Sequence, residues 1–268
     1  MVIVAATNDH YAQPLAVMLT SLLTHKKPDY PIHIYILYGD LSAISMRKLE
    51  RTAGKFQAPV TFLKVDVGLF KDVAPGSGGQ KYISKEAYYR ITIPDLLSEE
   101  IDKALYLDCD MMVKTDISEL WETNIDGYDL AAVDESRVVT KRDREIRMAR
   151  LSLPPDAHYF NSGLLLINLK RWREKNISAE LIQFIKSNPD KLALMDQDAL
   201  NAVLYNRWLR LDDKWNFTAA HCRKFSPKKA AILHFTGPEK PWNSKSPFTK
   251  EYLKYLKKSL WEKPLPSA

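Results

Sequence analysis

The sequence predicts an α/β fold built on a mixed, mainly parallel sheet with helices on both faces. Three observations carry this. Short apolar runs alternate with helix-like runs from the first residues onward, which is the βαβ signature. Three of the apolar runs end on polar, chemistry-capable residues: Asn8-Asp9, Asp108-Cys109-Asp110 and Asp134. The chain has 268 residues, 46% hydrophobic and 27% charged, which is ordinary globular composition and long enough for one large domain.

The elements follow in order. Residues 2–6, Val-Ile-Val-Ala-Ala, read as a buried strand; they lack the basic flank of a targeting segment and run straight into Thr7-Asn8-Asp9. Pro14 suits the first turn of a helix, and Leu15, Met18, Leu19, Leu22 and Leu23 give it an apolar face. A strand is expected at 32–38, then a helix capped by Ser42 and running to about Gly54, then a strand at 60–65. Residues 68–80 contain Pro75-Gly76-Ser77-Gly78-Gly79 and read as a flexible loop near the site. A helix at 86–97, stopped near Pro94, precedes strands at 103–107, 130–133 and 164–169. Helices at 178–185 and 197–205, a short strand at 231–235 and a last helix at 249–260 complete the chain. No apolar run approaches the roughly 18 residues of a membrane span.

Charge and cysteine usage narrow the setting. The formal net charge is +6, and residues 240–268 carry seven lysines against two acids, interleaved with Trp242, Phe248, Tyr252, Tyr255 and Trp261. Such a segment reads either as a terminal helix packed by one face or as a peripheral contact with an anionic membrane. Residues 137–150, with six basic residues and two acids, join the same surface or meet an acidic acceptor. No nucleic-acid-binding motif accompanies the charge, so nucleic acid is not an expected partner. Two cysteines, Cys109 and Cys222, are expected to stay reduced in a cytoplasmic protein.

Five segments carry chemistry. In Asp108-Cys109-Asp110, residues i and i+2 of an extended chain project to one side, so two carboxylates can hold a divalent cation. His234 follows an apolar strand, with Gly237 and Lys240 in the Thr236-Gly237-Pro238-Glu239-Lys240 loop after it. Imidazole joined to carboxylates favours Mn²⁺ over Mg²⁺. Asn161, in Tyr159-Phe160-Asn161-Ser162-Gly163, can donate to and accept from sugar hydroxyls. Asp196 and Gln197 open a helix, where Asp196 is a candidate cap. Arg90 sits on the helix after the flexible loop. Open α/β sheets bind ligands beyond the carboxyl ends of their strands, so the polar strand ends are expected to share one crevice. The absence of G-x-G-x-x-G, G-x-x-x-x-G-K-[ST] and G-x-S-x-G disfavours a dinucleotide oxidoreductase, a P-loop NTPase and an α/β-hydrolase.

Taken together and in this order, the five segments resemble glycosyltransferase family 8, over residues 2–242. The resemblance implies a GT-A fold over residues 1–243 with a basic, aromatic C-terminal segment at 244–268. It implies a retaining hexosyltransferase that moves galactose or glucose from a UDP-sugar to a glycan or glycolipid acceptor, with Mn²⁺ (or Mg²⁺) as cofactor. Asp108, Asp110 and His234 would hold the metal, and Cys109 lies between the carboxylates. Ala6, Asn8 and Tyr11 match the nucleoside-binding segment, although Asn8 stands where the family's galactosyltransferases have an aspartate and His10 where they have an asparagine. Gly237 and Lys240 match the diphosphate loop. Arg90, Asn161 and Asp196 match positions that grip the donor sugar, Gln197 the residue beneath the anomeric carbon, and Asp134 a donor- or acceptor-side carboxylate. Asp196 and Gln197 are the expected catalytic pair. The alternatives are a nucleotidyltransferase-like enzyme on the same α/β plan and a non-catalytic nucleotide-sugar or glycan-binding protein of the same fold. Localisation is expected in the cytoplasm, at the inner face of the membrane if the C-terminal segment binds there.

Overall fold

The computed structural model describes residues 1–71, 73, 84–242 and 246–261. Most of the expected loop at 68–80 lies outside the described residues, as do the expected boundary at 243/244 and residues 262–268. The first half of the fold comprises β1 (Val2–Ala6), α1 (Ala12–Thr24), β2 (His33–Tyr38), α2 (Ala43–Gly54) and β3 (Val60–Lys64). After them come α3 (Ile93–Leu96), β4 (Lys103–Leu107), β5 (Met111–Val113), α4 (Ser118–Trp121), β6 (Leu130–Val133) and α5 (Lys141–Leu151). The second half continues with β7 (Leu164–Asn168), α6 (Leu169–Glu174), α7 (Ile177–Ser187), α8 (Asp196–Val203) and β8 (Trp208–Leu211). It ends with β9 (Phe217–Thr218), α9 (Ala219–Cys222), β10 (Ile232–His234) and α10 (Thr249–Leu256).

A seven-stranded sheet runs in the order β3-β2-β1-β4-β7-β6-β8. Its pairs are parallel except β4–β7 and β6–β7. The sheet is therefore mixed and mainly parallel, as expected. Strand alternation sorts residues to its two faces: Ile3, Ala5, Leu105 and Leu107 pack with Leu15, Met18, Leu19 and Leu22 of α1. Val4, Ala6, Ala104 and Tyr106 pack instead with Trp172, Ile177, Leu181 and Leu200 of α6–α8. Both faces are buried, which is why these strands read as continuous apolar runs.

Two local expectations are revised. The helix expected at 86–97 is a 3₁₀ segment, Lys85–Thr92, followed by the single turn of α3. The break falls at Thr92, with φ −88° and ψ 0°, and Pro94 lies in the first turn of α3, where its missing N–H leaves no helical bond unmade. Helix α1 is expected to be amphipathic, yet every residue from Ala12 to Leu23 is buried. A second sheet, β5-β10-β9, and α10 cover its outer side: Val17 shares a cluster with Met112, Leu233, Tyr252, Tyr255 and Leu256. The buried hydroxyls of Thr20 and Ser21 donate to carbonyls one turn back, and Ser21 Oγ also accepts from Val113 N at 2.9 Å. The C-terminal helix thus turns its aromatic residues inward and leaves Lys250, Lys254, Lys257 and Lys258 exposed.

Candidate active site

The carboxyl ends of β1 and β4, the β10 end of the second sheet, and the N-terminus of α8 open onto one cavity of about 960 Å³. Ala6, Asn8, Tyr11, Arg90, Asp108, Cys109, Asp110, Asn161, Asp196, Gln197, His234, Gly237 and Lys240 all line it. Twelve sequence positions spread over more than 230 residues therefore meet with His234 in a single crevice, as expected of polar strand ends in such a sheet.

Asp134 does not line the cavity. Its fully buried carboxylate accepts from Ser136 N at 2.9 Å and faces His158 Nδ1 at 2.8 Å and Arg210 at 3.3 Å. Successive residues of an extended chain point to opposite sides. The carboxylate that faces the cavity is the next one, Glu135. Asp9 likewise serves elsewhere, accepting from the N–H and hydroxyl of Ser42 at the start of α2.

Asp108, Asp110 and His234 bring one ligand atom each to within 4.8 Å of one another. His234 Nε2 lies 3.2 Å from Asp110 Oδ1 and 3.7 Å from Asp108 Oδ2. The donor set, two carboxylates and an imidazole, suits a borderline divalent cation. Two further observations fit one. Lys240 Nζ stands 2.6 Å from Asp110 Oδ2, a positive charge already drawn to the carboxylate. A Cβ at Gly163 would stand 2.3 Å from His234 Cε1, so only glycine lets the backbone pass behind the ligands. Burial by itself would raise the Asp110 carboxyl, but the Lys240 ammonium beside it prevails and holds it well below the usual carboxylate range.

Arg90, the one arginine of the Lys85–Thr92 segment, is buried and bridges the two halves of the site. Its guanidinium meets Asp108 Oδ1 at 3.0 Å and Asp196 Oδ2 at 3.1 Å, and it lies 4.4 Å over the ring of Tyr106. It also donates to the Ser162 carbonyl. Tyr106 OH donates to the same Asp108 oxygen at 2.8 Å. Asp196 is not the cap of α8. Met195 precedes the helix with φ +52°, a costly conformation for a residue with a side chain, and swings Asp196 into the cavity wall. There Asp196 accepts from Ser162 Oγ at 3.1 Å, and burial pushes its carboxyl up to about 6 despite Arg90.

Gln197 is held at both ends. Its Oε1 accepts from Ser162 N at 3.0 Å, while Nε2 donates to Tyr159 OH at 3.2 Å and Glu135 Oε2 at 3.3 Å. Arg147 of α5 flanks Glu135 at 3.5 Å and stacks on Tyr159 at 4.2 Å; Arg150, one turn on, pairs with buried Asp198 at 2.9 Å. The basic run therefore has a face turned toward the site. Gly237 has φ +90°, with open space around its would-be Cβ, so its conformation rather than a close approach calls for glycine. Sequence reasoning missed Tyr106, Glu135, Arg147, Ser162 and Asn216. Ser162 lies in the Tyr159–Gly163 segment, Tyr106 in the strand before Asp108 and Arg147 in the basic run at 137–150, whereas Glu135 and Asn216 come from elements with no local pattern.

The chain matches the model of glycosyl transferase family 8 over residues 2–246. It is 36% identical to general stress protein A of Bacillus subtilis, over 97% of this chain and 94% of that one. It is 28% identical to lipopolysaccharide 1,3-galactosyltransferase of Salmonella typhimurium, over 90% and 72%. Among solved structures it is similar to galactosyltransferase LgtC in complex with donor and acceptor sugar analogs, with a TM-score of 0.86, 25% identity, and coverage of 97% and 96%. The mixed sheet and its flanking helices match the GT-A fold of that enzyme. Fold and sequence agree, and the chain belongs to glycosyl transferase family 8.

Proposed function

We propose that this protein is a retaining hexosyltransferase that moves galactose or glucose from a UDP-sugar to a glycan or glycolipid acceptor, with Mn²⁺ (or Mg²⁺) held by Asp108, Asp110 and His234. The observation that carries the reading is the convergence of that ligand set with Arg90, Asp196 and Gln197 in one cavity. The Salmonella relative's name, a galactosyltransferase, supports the transferred sugar class. A divalent cation bound there supplies Lewis-acid charge toward the departing nucleoside diphosphate.

The protein's own groups do the rest. Lys240 adds fixed positive charge at the leaving-group end. Ala6, Asn8 and Tyr11 line the end of the cavity assigned to the nucleoside, and Asn161 offers its amide to sugar hydroxyls. The sugar gains positive character as its bond to the diphosphate breaks, and the Asp196 carboxylate stabilises that charge. Gln197 Oε1 is a weak nucleophile and already accepts a backbone N–H. Attack from the same face is therefore favoured: the acceptor oxygen bonds to the anomeric carbon, the bond to the diphosphate breaks, and a diphosphate oxygen takes the acceptor's proton. Asp196 is a poorer covalent nucleophile because Arg90 and Ser162 engage its Oδ2.

Contact with an anionic membrane is electrostatic in this reading and runs through Lys250, Lys254, Lys257 and Lys258, since the α10 tyrosines are buried. Co-sedimentation with anionic vesicles, lost at high salt, is the expected result. The test of the main reading is UDP release from a panel of UDP-sugars with Mn²⁺ and then with EDTA. Mn²⁺-dependent UDP from UDP-galactose or UDP-glucose, with the anomeric configuration kept in the product, is expected. Pyrophosphate among the products, or no turnover and no donor binding, would overturn it.

A further inference from the structure

The side-chain amides of Asn161 and Asn216 form a buried chain that ends on His234, and hydrogen-bond polarity lets it run in one direction. It begins at the N–H of Gly163, which can only donate, and which lies 3.0 Å from Asn161 Oδ1. That contact settles which end of the Asn161 amide is oxygen. The same oxygen accepts from Asn216 at 2.8 Å, so the Asn216 atom there is Nδ2. The opposite end of that amide is Oδ1, an acceptor without a proton, 2.9 Å from His234 Nδ1. Nδ1 must therefore carry a hydrogen. In the neutral ring Nε2 is then the bare lone pair, and Nε2 is the nitrogen turned toward Asp108 and Asp110. Asn216 is 0% exposed, Asn161 7% and His234 5%, so bulk water does not compete for these groups.

We propose that Asn216 is the positioning residue that fixes the tautomer of His234, and that Asn161 and the Gly163 backbone in turn fix Asn216. This rests on the metal-centre reading for its purpose, though not for its geometry. Asn161 also lines the cavity, so a residue assigned to the donor sugar and a ligand assigned to the cation share one rigid anchor. Loss of Asn161 should then weaken cation binding although Asn161 is no ligand.

The first test needs no variant and no metal. In wild-type protein labelled with ¹⁵N-histidine, the neutral His234 ring should carry its hydrogen on Nδ1 and leave Nε2 bare. A bare Nδ1 with the proton on Nε2 would overturn the proposal. The second test is Mn²⁺ affinity, read from the electron spin resonance of free Mn²⁺, with and without UDP. Asn216→Leu, close in shape but without an acceptor, should bind Mn²⁺ about 10-fold or more weakly, the scale of a lost partner to a ligating histidine. Asn216→Asp keeps an acceptor opposite Nδ1 but sets its second oxygen against Asn161 Oδ1, so its affinity should fall between those of wild type and Asn216→Leu. A folded Asn216→Leu protein with wild-type affinity and unchanged ring signals would sink the idea. Wild-type protein that binds no Mn²⁺ in either condition would refute the metal centre, while the nitrogen signals still decide the tautomer.

Discussion

A Cβ built on Gly163 would stand 2.3 Å from His234 Cε1 and 2.7 Å from Asp108 Oδ2, and neither group can retreat without leaving the cation site. Gly163→Ala should therefore cost about 1–3 kcal/mol of stability through overpacking, together with Mn²⁺ affinity. Denaturant unfolding and a metal titration on the same sample check both. Asp110→Asn should abolish Mn²⁺-dependent turnover while the circular dichroism spectrum stays native, because the amide keeps the shape and loses the charge; full activity would remove Asp110 from the metal site. Asp196 offers a pH signature. Its carboxyl is raised from 3.8 to about 6 in the folded protein, so the folded state holds that proton more tightly than the unfolded chain. The resulting stability is present below 3.8 and is lost as pH rises through about 6. The melting-temperature advantage of wild type over Asp196→Asn should shrink across that window and be constant above it. A constant difference across it would mean an ordinary carboxyl. The Asp108-Cys109-Asp110 pair was legible because two carboxylates at i and i+2 are a local pattern. Glu135 was not, because one residue of strand register separates it from Asp134 and no local signal says which of the two faces inward.

Helix α2 shows a legible element. Ser42 was readable as its cap, and its Oγ accepts from Ser45 N at 3.2 Å while it donates to Asp9 at 2.8 Å. Ser42→Ala should cost about 1 kcal/mol in chemical denaturation. Helix α5 shows the opposite case. Its basic residues read as part of a membrane-facing surface or a contact for an acidic acceptor, yet Arg150 reaches Asp198, whose carboxylate is fully buried and also accepts from Tyr159 OH at 2.8 Å and Leu194 N at 2.7 Å. Arg150→Ala should lower stability by about 2 kcal/mol, the scale of a hydrogen bond to a charged group. It should also reduce turnover, since Tyr159 accepts from Gln197. A variant with wild-type unfolding and wild-type kcat would show that α5 has no hold on the site. Composition can count the arginines of a helix, but only the partner across the gap shows which of them are surface groups.

For the whole molecule, strand periods and helix caps in the local sequence were enough to place most strands of the large sheet and to bring Asn8 and Asp108-Cys109-Asp110 to one crevice, though not Asp9 or Asp134. These are short-range properties: alternation, capping and turn chemistry act over a few residues. What lay beyond them was set by contacts between distant segments. β7 runs antiparallel between β4 and β6, a second sheet forms from β5, β10 and β9, and α10 folds back over α1. The aromatic residues of the C-terminal segment looked equally suited to a lipid surface or a protein core. Tyr252, 2% exposed, took the core, so Tyr252→Ala should destabilise by about 3–5 kcal/mol in the absence of any membrane. The residue types needed to hold a cation and a sugar were already present in the chain as separate motifs. Which of them share a hydrogen, which carboxylate turns inward and which arginine bridges Asp108 to Asp196 depend on side-chain directions across sheet neighbours. Those directions follow from packing, and packing is non-local.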